Sequence, residues 1–224
     1  MNEAQTNVQM QTTGKQTRLL ATLSRIISIV VHPLMMPVYC TIYTLYGPTL
    51  YSGMPMEVKA KMMINVGLYA CLNPLVTLGI FIALGKVSDM EMPKRSERSL
   101  PLLVISIITL IGVYIMGGAL TWTPIGHMII GESIILLFAA VVSMWWKISL
   151  HTLGVGAMLS YVVILGLMFR ADFGSAAAWT LLLSGLAAWA RLYEKAHTPS
   201  QLLVGYVMGM SIMTIVMYAM VSLP

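Results

Sequence analysis

The chain has 224 residues, of which 58% are hydrophobic and 9% charged, with 13 Lys and Arg against 8 Asp and Glu. A soluble domain wets its surface with about 25% charged residues, so the solvent for most of this chain must be lipid. That excludes a soluble enzyme, a disordered chain, a disulfide scaffold and a coiled coil, and leaves one domain of membrane-spanning helices.

The first 17 residues are polar and rich in Gln and Thr, and a disordered tail is expected over residues 1–24, ahead of one transmembrane domain at 25–224. This start does not read as a signal peptide, because its apolar run begins late and is interrupted by His32-Pro33. Beyond it, charges mark the breaks. The uncharged stretches predict spans over about 26–46, 62–85, 100–119, 126–146, 150–169, 174–190 and 202–222. The third and fourth form a hairpin around Gly117-Gly118, Pro124 and Gly126, whose second arm crosses Glu132 and ends at Trp145-Trp146, a pair suited to the membrane interface. The expected fold is therefore all-α, a polytopic transmembrane helical bundle of 6–7 spans. Continuous apolar runs, rather than ~10-residue alternations, exclude a β-barrel. Cys40 and Cys71 read as small buried hydrophobes. Gly205–Gly209 and Gly112–Gly118 read as sites of close helix contact.

Ten of the 13 basic residues fall on one face of such a bundle: Lys15, Arg18, Arg25, Lys86, Lys94, Arg95, Arg98, Lys147, Arg191 and Lys195. Lys59, Lys61 and Arg170 fall on the other. Excess Lys and Arg stays inside, so the richer face is expected to be cytoplasmic, in a bacterial inner membrane.

Three polar clusters land on that face: Pro93–Pro101, Lys147–His151 and Arg191–Gln201. Together they bring arginines, histidines and hydroxyls to membrane depth, where polar groups are costly unless they hold something. Arginine grips phosphate oxygens bidentately, and histidine can attack phosphorus or protonate a leaving oxygen.

The third cluster reads Ala190-Arg191, five residues, His197, three residues, Gln201, with Tyr193, Pro199-Ser200 and Gly205 around it. This resembles the last motif (Ser-Arg, five residues, His, three residues, Asp) of the type 2 phosphatidic acid phosphatase (PAP2) superfamily, which includes acid phosphatases and vanadium haloperoxidases. Ser149 and His151 match its Pro-Ser-Gly-His motif, with Leu150 in place of the glycine. Arg98 with Pro101 is a loosened form of its Lys, six residues, Arg-Pro motif. There Glu91 stands where a lysine is usual, and Lys94 or Arg95 offers the missing charge. The motif regions are about 86–101, 147–151 and 190–201.

The resemblance implies a PAP2-like bundle and a metal-independent phosphatase that needs no cofactor. His197 would be the nucleophile that forms a phosphohistidine, with Gln201 in the position of the carboxylate that holds it. His151 would protonate the leaving alcohol. Arg191, Arg98, Ser149, Lys94 and Arg95 would bind the phosphoryl oxygens. Glu194 or Glu132 could replace the absent carboxylate. The implied partners are the bilayer and a lipid phosphate: phosphatidic acid, phosphatidylglycerol phosphate, a polyprenyl diphosphate or a lipid A phosphate, with no nucleic acid. Two alternatives stand beside this reading. One is a catalytically impaired relative that binds a lipid phosphate or a partner; the other is a small transporter.

Overall fold

The computed structural model describes residues 18–116 and 122–222, and no strand occurs among them. The helices are α1 (Arg18–Val30), α2 (Met36–Tyr46), α3 (Met56–Val66), α4 (Asn73–Ala83), α5 (Ser99–Met116), α6 (Pro124–Val142), α7 (Leu150–Phe169), α8 (Gly174–Tyr193) and α9 (Pro199–Ser222). Among the described residues, five helical stretches are long and apolar enough to cross a membrane. These are Met56–Ala83, Arg95–Ile115, Pro124–Val142, Leu150–Phe169 and Pro199–Ala219. A sixth crossing results if α1 and the stretch Pro33–Tyr46, bent by 42° against each other, count as one broken span. The chain is thus an all-helical integral membrane protein.

Three sequence expectations change. The tail drawn to residue 24 is helical from Arg18 onward, and Ser24 and Ser28 are already buried. The first span is broken rather than continuous, because Pro33 has no N–H for the helical ladder and its ring disfavours helical geometry at His32. Short 3-10 turn Pro33–Met35 follows, capped by His32 Nδ1, which accepts from Leu34 N–H at 3.3 Å. The segment expected as the sixth span forms α8, whose 20 residues reach about 30 Å. Trp179, Ser184, Gly185, Trp189 and Arg191 dilute its hydropathy, and it is not one of the five apolar stretches. The Gly117-Gly118 turn lies outside the described residues.

The outer surface is apolar, with Ile107, Ile111, Ile115, Leu181 and Leu182 exposed, while hydroxyls turn inward. In lipid, apolar burial supplies little drive between helices, so small residues and hydrogen bonds hold them together. Thr44 and Tyr161 hydroxyls meet at 2.6 Å, Ser106 Oγ donates to Ser133 O at 2.7 Å, and Ser160 Oγ donates to Met210 O at 2.8 Å. Helices α7 and α9 lie backbone to backbone: a Cβ on Gly156 would strike Tyr206 O, and one on Gly209 would strike Leu153 O. The expected role of the Gly205–Gly209 segment is what the packing displays.

Pro74 disrupts the next crossing segment, Met56–Ala83, in a second way. Ahead of it the ladder widens into a π-helical turn, Gly67–Leu72, the usual response to a missing donor. Thr109 Oγ1 donates to Tyr69 O at 3.3 Å, and Asn73 Nδ2 donates to Ile105 O at 3.2 Å and to Thr109 Oγ1 at 2.9 Å. This polar clamp fixes α4 against α5 and sets Pro74 into the wall of the pocket described next.

Candidate functional site

The loops before α5, α7 and α9 are tied to one another by their own charges. Arg98, at the start of α5, is buried and spends its guanidinium on backbone carbonyls: Nε donates to Met92 O at 2.8 Å, Nη1 to Ile148 O at 2.7 Å and Nη2 to Glu91 O at 3.4 Å. Met92 is buried with φ 48°, a left-handed conformation that costs a non-glycine residue about 1 kcal/mol. The Arg98 bond holds it there. Lys147 Nζ donates to Ala196 O at 3.0 Å, and Arg95 Nη1 donates to Trp145 O. Half-buried near Arg98 and Arg191, the Lys147 ammonium is pushed down from its ordinary pKa, by partial desolvation first and then by those cations.

Inside this tied end is a pocket lined by Arg98, His151, Arg191 and His197 together with His32, Glu91 and Glu132. Four of the residues expected to form the site therefore converge, although Arg98 and Arg191 are 93 positions apart in the chain. Arg191, at the end of α8, is 4% exposed. Its Nη1 pairs with Glu194 at 2.9 Å and its Nη2 with Glu91 at 3.1 Å. Its Nε is buried without a hydrogen-bond partner among the described residues. Glu194 also accepts from Ser28 Oγ at 3.2 Å.

His197 sits just ahead of α9, whose first turn supplies its partner. Gln201 Oε1 lies 3.1 Å from His197 Nδ1 and 3.2 Å from Thr198 N. A backbone N–H can only donate, so the atom facing Thr198 must be the amide oxygen. His197 Nδ1 therefore carries the proton, and the Nε2 lone pair is free. Burial, then Arg98, then Lys147 and Arg191, push the ring down to about 4, against the raising effect of the Gln201 bond. His197 is thus neutral across ordinary pH. His151, in the first turn of α7, places Nε2 at 3.2 Å from Ser28 O. A carbonyl only accepts, so this ring holds its proton on Nε2. Its edge meets the His32 ring at 5.5 Å between centroids.

Several expected site residues lie elsewhere. Ser149 is fully buried as the N-cap of α7, its Oγ accepting Thr152 N–H at 3.4 Å, the usual use of serine at a helix start. Lys94 is exposed and pairs with Glu97 at 3.3 Å, and Arg95 binds the Trp145 carbonyl. Neither joins the pocket. Glu194 holds Arg191 rather than His197, so Gln201 alone fills the position of the missing carboxylate. His32 and the Arg191–Glu91 contact are additions to the site. A histidine interrupting an apolar run was the visible signal for the first. The second joins residues 100 apart in sequence, and local pattern carries no trace of it. Among the described residues no three His, Cys, Asp or Glu side chains are grouped to hold a metal ion.

No family model, curated protein or solved structure matches this chain.

Proposed function

We propose that the protein is a membrane-embedded phosphatase of PAP2-like architecture, acting on a lipid phosphate or diphosphate through a phosphohistidine. One observation carries this reading: a free histidine lone pair, His197 Nε2, and an unpartnered buried guanidinium N–H, Arg191 Nε, belong to side chains lining one pocket. A phosphoryl group needs both, an attacking nitrogen and donors for oxygens that gain charge in the transition state. In this scheme His197 Nε2 forms a bond to phosphorus as the bond to the leaving oxygen breaks. Arg191, with the remaining N–H groups of Arg98, holds the oxygens, and His151, whose Nε2–H stays on Ser28 O, passes to the departing alkoxide a second proton that its Nδ1 takes from the bound phosphate monoanion. Water then cleaves the P–N bond and restores the ring. The site lies at the ends of apolar helices, which suits a substrate whose chain stays in lipid. The test is phosphate release by purified protein in detergent from phosphatidic acid, phosphatidylglycerol phosphate, a polyprenyl diphosphate and a lipid A phosphate. No release above a His197→Ala control on all four would reject the proposal.

A second reading, a lipid-phosphate binder without turnover, draws support from the two carboxylates on Arg191 and from the uncharged Gln201. Gln201→Glu separates the two. Gln201 reaches both donors with its full length, so glutamate, not the shorter aspartate, places a carboxylate oxygen on His197 Nδ1. In a serine-protease triad the change from carboxylate to amide costs about 10⁴ in turnover. Gln201→Glu is expected to raise phosphate release at least tenfold, on the order of a modest part of that figure. It should also move the acid limb of kcat/KM upward, because a carboxylate favours the imidazolium. A variant that binds phosphate without turnover would favour the binder.

We further propose that the site faces the cytoplasm of a bacterial inner membrane, supported by the ten-to-three division of basic residues. Ser96 and Ser52 are both exposed, on the site loop and on the loop after α2. Cysteine at Ser96 should label only from the cytoplasmic side and at Ser52 only from the other. Ser96 labelling from outside would reverse the assignment.

A further inference from the structure

The pocket does not end among its charged groups. Its inner wall is apolar, with Leu102 and Ile105, and Pro33, Glu132, Leu136 and Leu150 are shared with a deeper cavity. That cavity is lined by Met36, Met128, Leu153 and Met213. Glu132, one turn before Leu136 on α6, therefore stands at the junction between a cationic outer chamber and an apolar inner one. Its Oε2 is buried and has no hydrogen-bond partner among the described residues.

A buried acceptor left unmatched is costly, and an ionisable group inside a membrane span marks function by default. An ordered water needs about two to four polar partners, which the outer chamber holds on one side of Glu132, whereas the deeper cavity offers Cys40 as its other polar lining residue. The partner is better supplied by the molecule that fills both chambers. We propose that Glu132 is a specificity-determining residue that accepts a hydrogen bond from a hydroxyl or amide N–H at the head–chain junction of an amphiphile. The phosphate of that amphiphile occupies the Arg191–His197 chamber and its chain the apolar one. This rests on the lipid-phosphate reading of the outer chamber and adds what that reading leaves open: a requirement for a donor just below the phosphate.

The experiment compares oleoylglycerol phosphate, which carries a free hydroxyl at that junction, with its deoxy analogue, oleoyl-propanediol phosphate. Equilibrium binding to purified protein in detergent is measured alongside phosphate release. Wild type should bind the hydroxyl compound about tenfold more tightly, the scale of one hydrogen bond to a buried carboxyl. Glu132→Leu should reduce that ratio to about 1 by weakening the hydroxyl compound alone, and Glu132→Gln, whose amide oxygen still accepts, should keep the preference. Glu132→Leu also removes an unmatched buried acceptor, so its melting temperature should equal or exceed that of wild type; Glu132→Ala serves if leucine crowds the cavity. Equal binding of the two compounds by wild type, or a preference that survives Glu132→Leu, overturns the assignment. Preferential binding without release keeps the role of Glu132, and the four-lipid release panel then decides the phosphatase reading separately. Release without preference overturns the role of Glu132 and keeps the phosphatase reading, and failure to bind either compound overturns the role of Glu132.

Discussion

Replacing His197 with alanine is expected to lower phosphate release from a lipid phosphate by at least about 10³-fold, because it removes the attacking nitrogen of the proposed reaction. Binding should survive, since Arg191 and Arg98 remain. Rapid acid-free quenching of wild type with labelled substrate should trap an acid-labile, base-stable phosphoprotein that His197→Ala lacks. The pH dependence is a second signature. Burial together with Arg98, Lys147 and Arg191 holds the His197 ring at about 4, below the ordinary value of about 6.5. Because kcat/KM reports the free enzyme, its acid limb should fall near pH 4, and a limb near 6.5 would contradict the geometry. Stability follows the same sign. The unfolded ring binds its proton at higher pH than the folded one, so this contribution is complete above about pH 6.5 and is lost as pH falls toward 4.

Arg191→Ala should damage both binding and stability. The arginine is 4% exposed and holds the carboxylates of Glu194 and Glu91. Removing one partner of a buried pair costs about 3–5 kcal/mol; here the lower end applies, since the Glu91 side chain is 60% exposed and solvent screens it. A lower melting temperature in detergent should accompany a loss of about 10²–10³-fold in kcat/KM, the scale for one preorganised donor in an anion site. Arg191→Lys keeps the charge but loses the fork, so it should recover melting more than turnover. Adding Glu194→Gln to Arg191→Ala should restore stability by removing the stranded charge, without restoring activity. If activity returned with stability, Arg191 would be a structural tie and nothing more.

Much of the site was legible because its chemistry is carried in short spacings. Arg191, His197 and Gln201 lie within three helical turns of one another, so the sequence already placed them at one helix junction. The local competition for each side chain was not legible. Ser149 and His151 are two residues apart, yet one caps a helix and the other enters the pocket. Lys94, Arg95 and Arg98 look equivalent as a basic run, but only Arg98 turns inward, where it finds three carbonyls. Pro33 broke the first span and Pro74 opened a π turn in the next, and each effect depends on which neighbour can satisfy the freed carbonyls.

From the sequence alone come the solvent, the helical class and the gathering of charge into three loops, because hydropathy and charge spacing are properties of neighbouring residues. Only the tertiary structure decided that Glu91 reaches Arg191, that His32 meets His151, and that Glu132 stands unmatched between two chambers. Those contacts join helices far apart in the chain, and their geometry is set by how closely glycine-lined backbones approach and how each helix is turned.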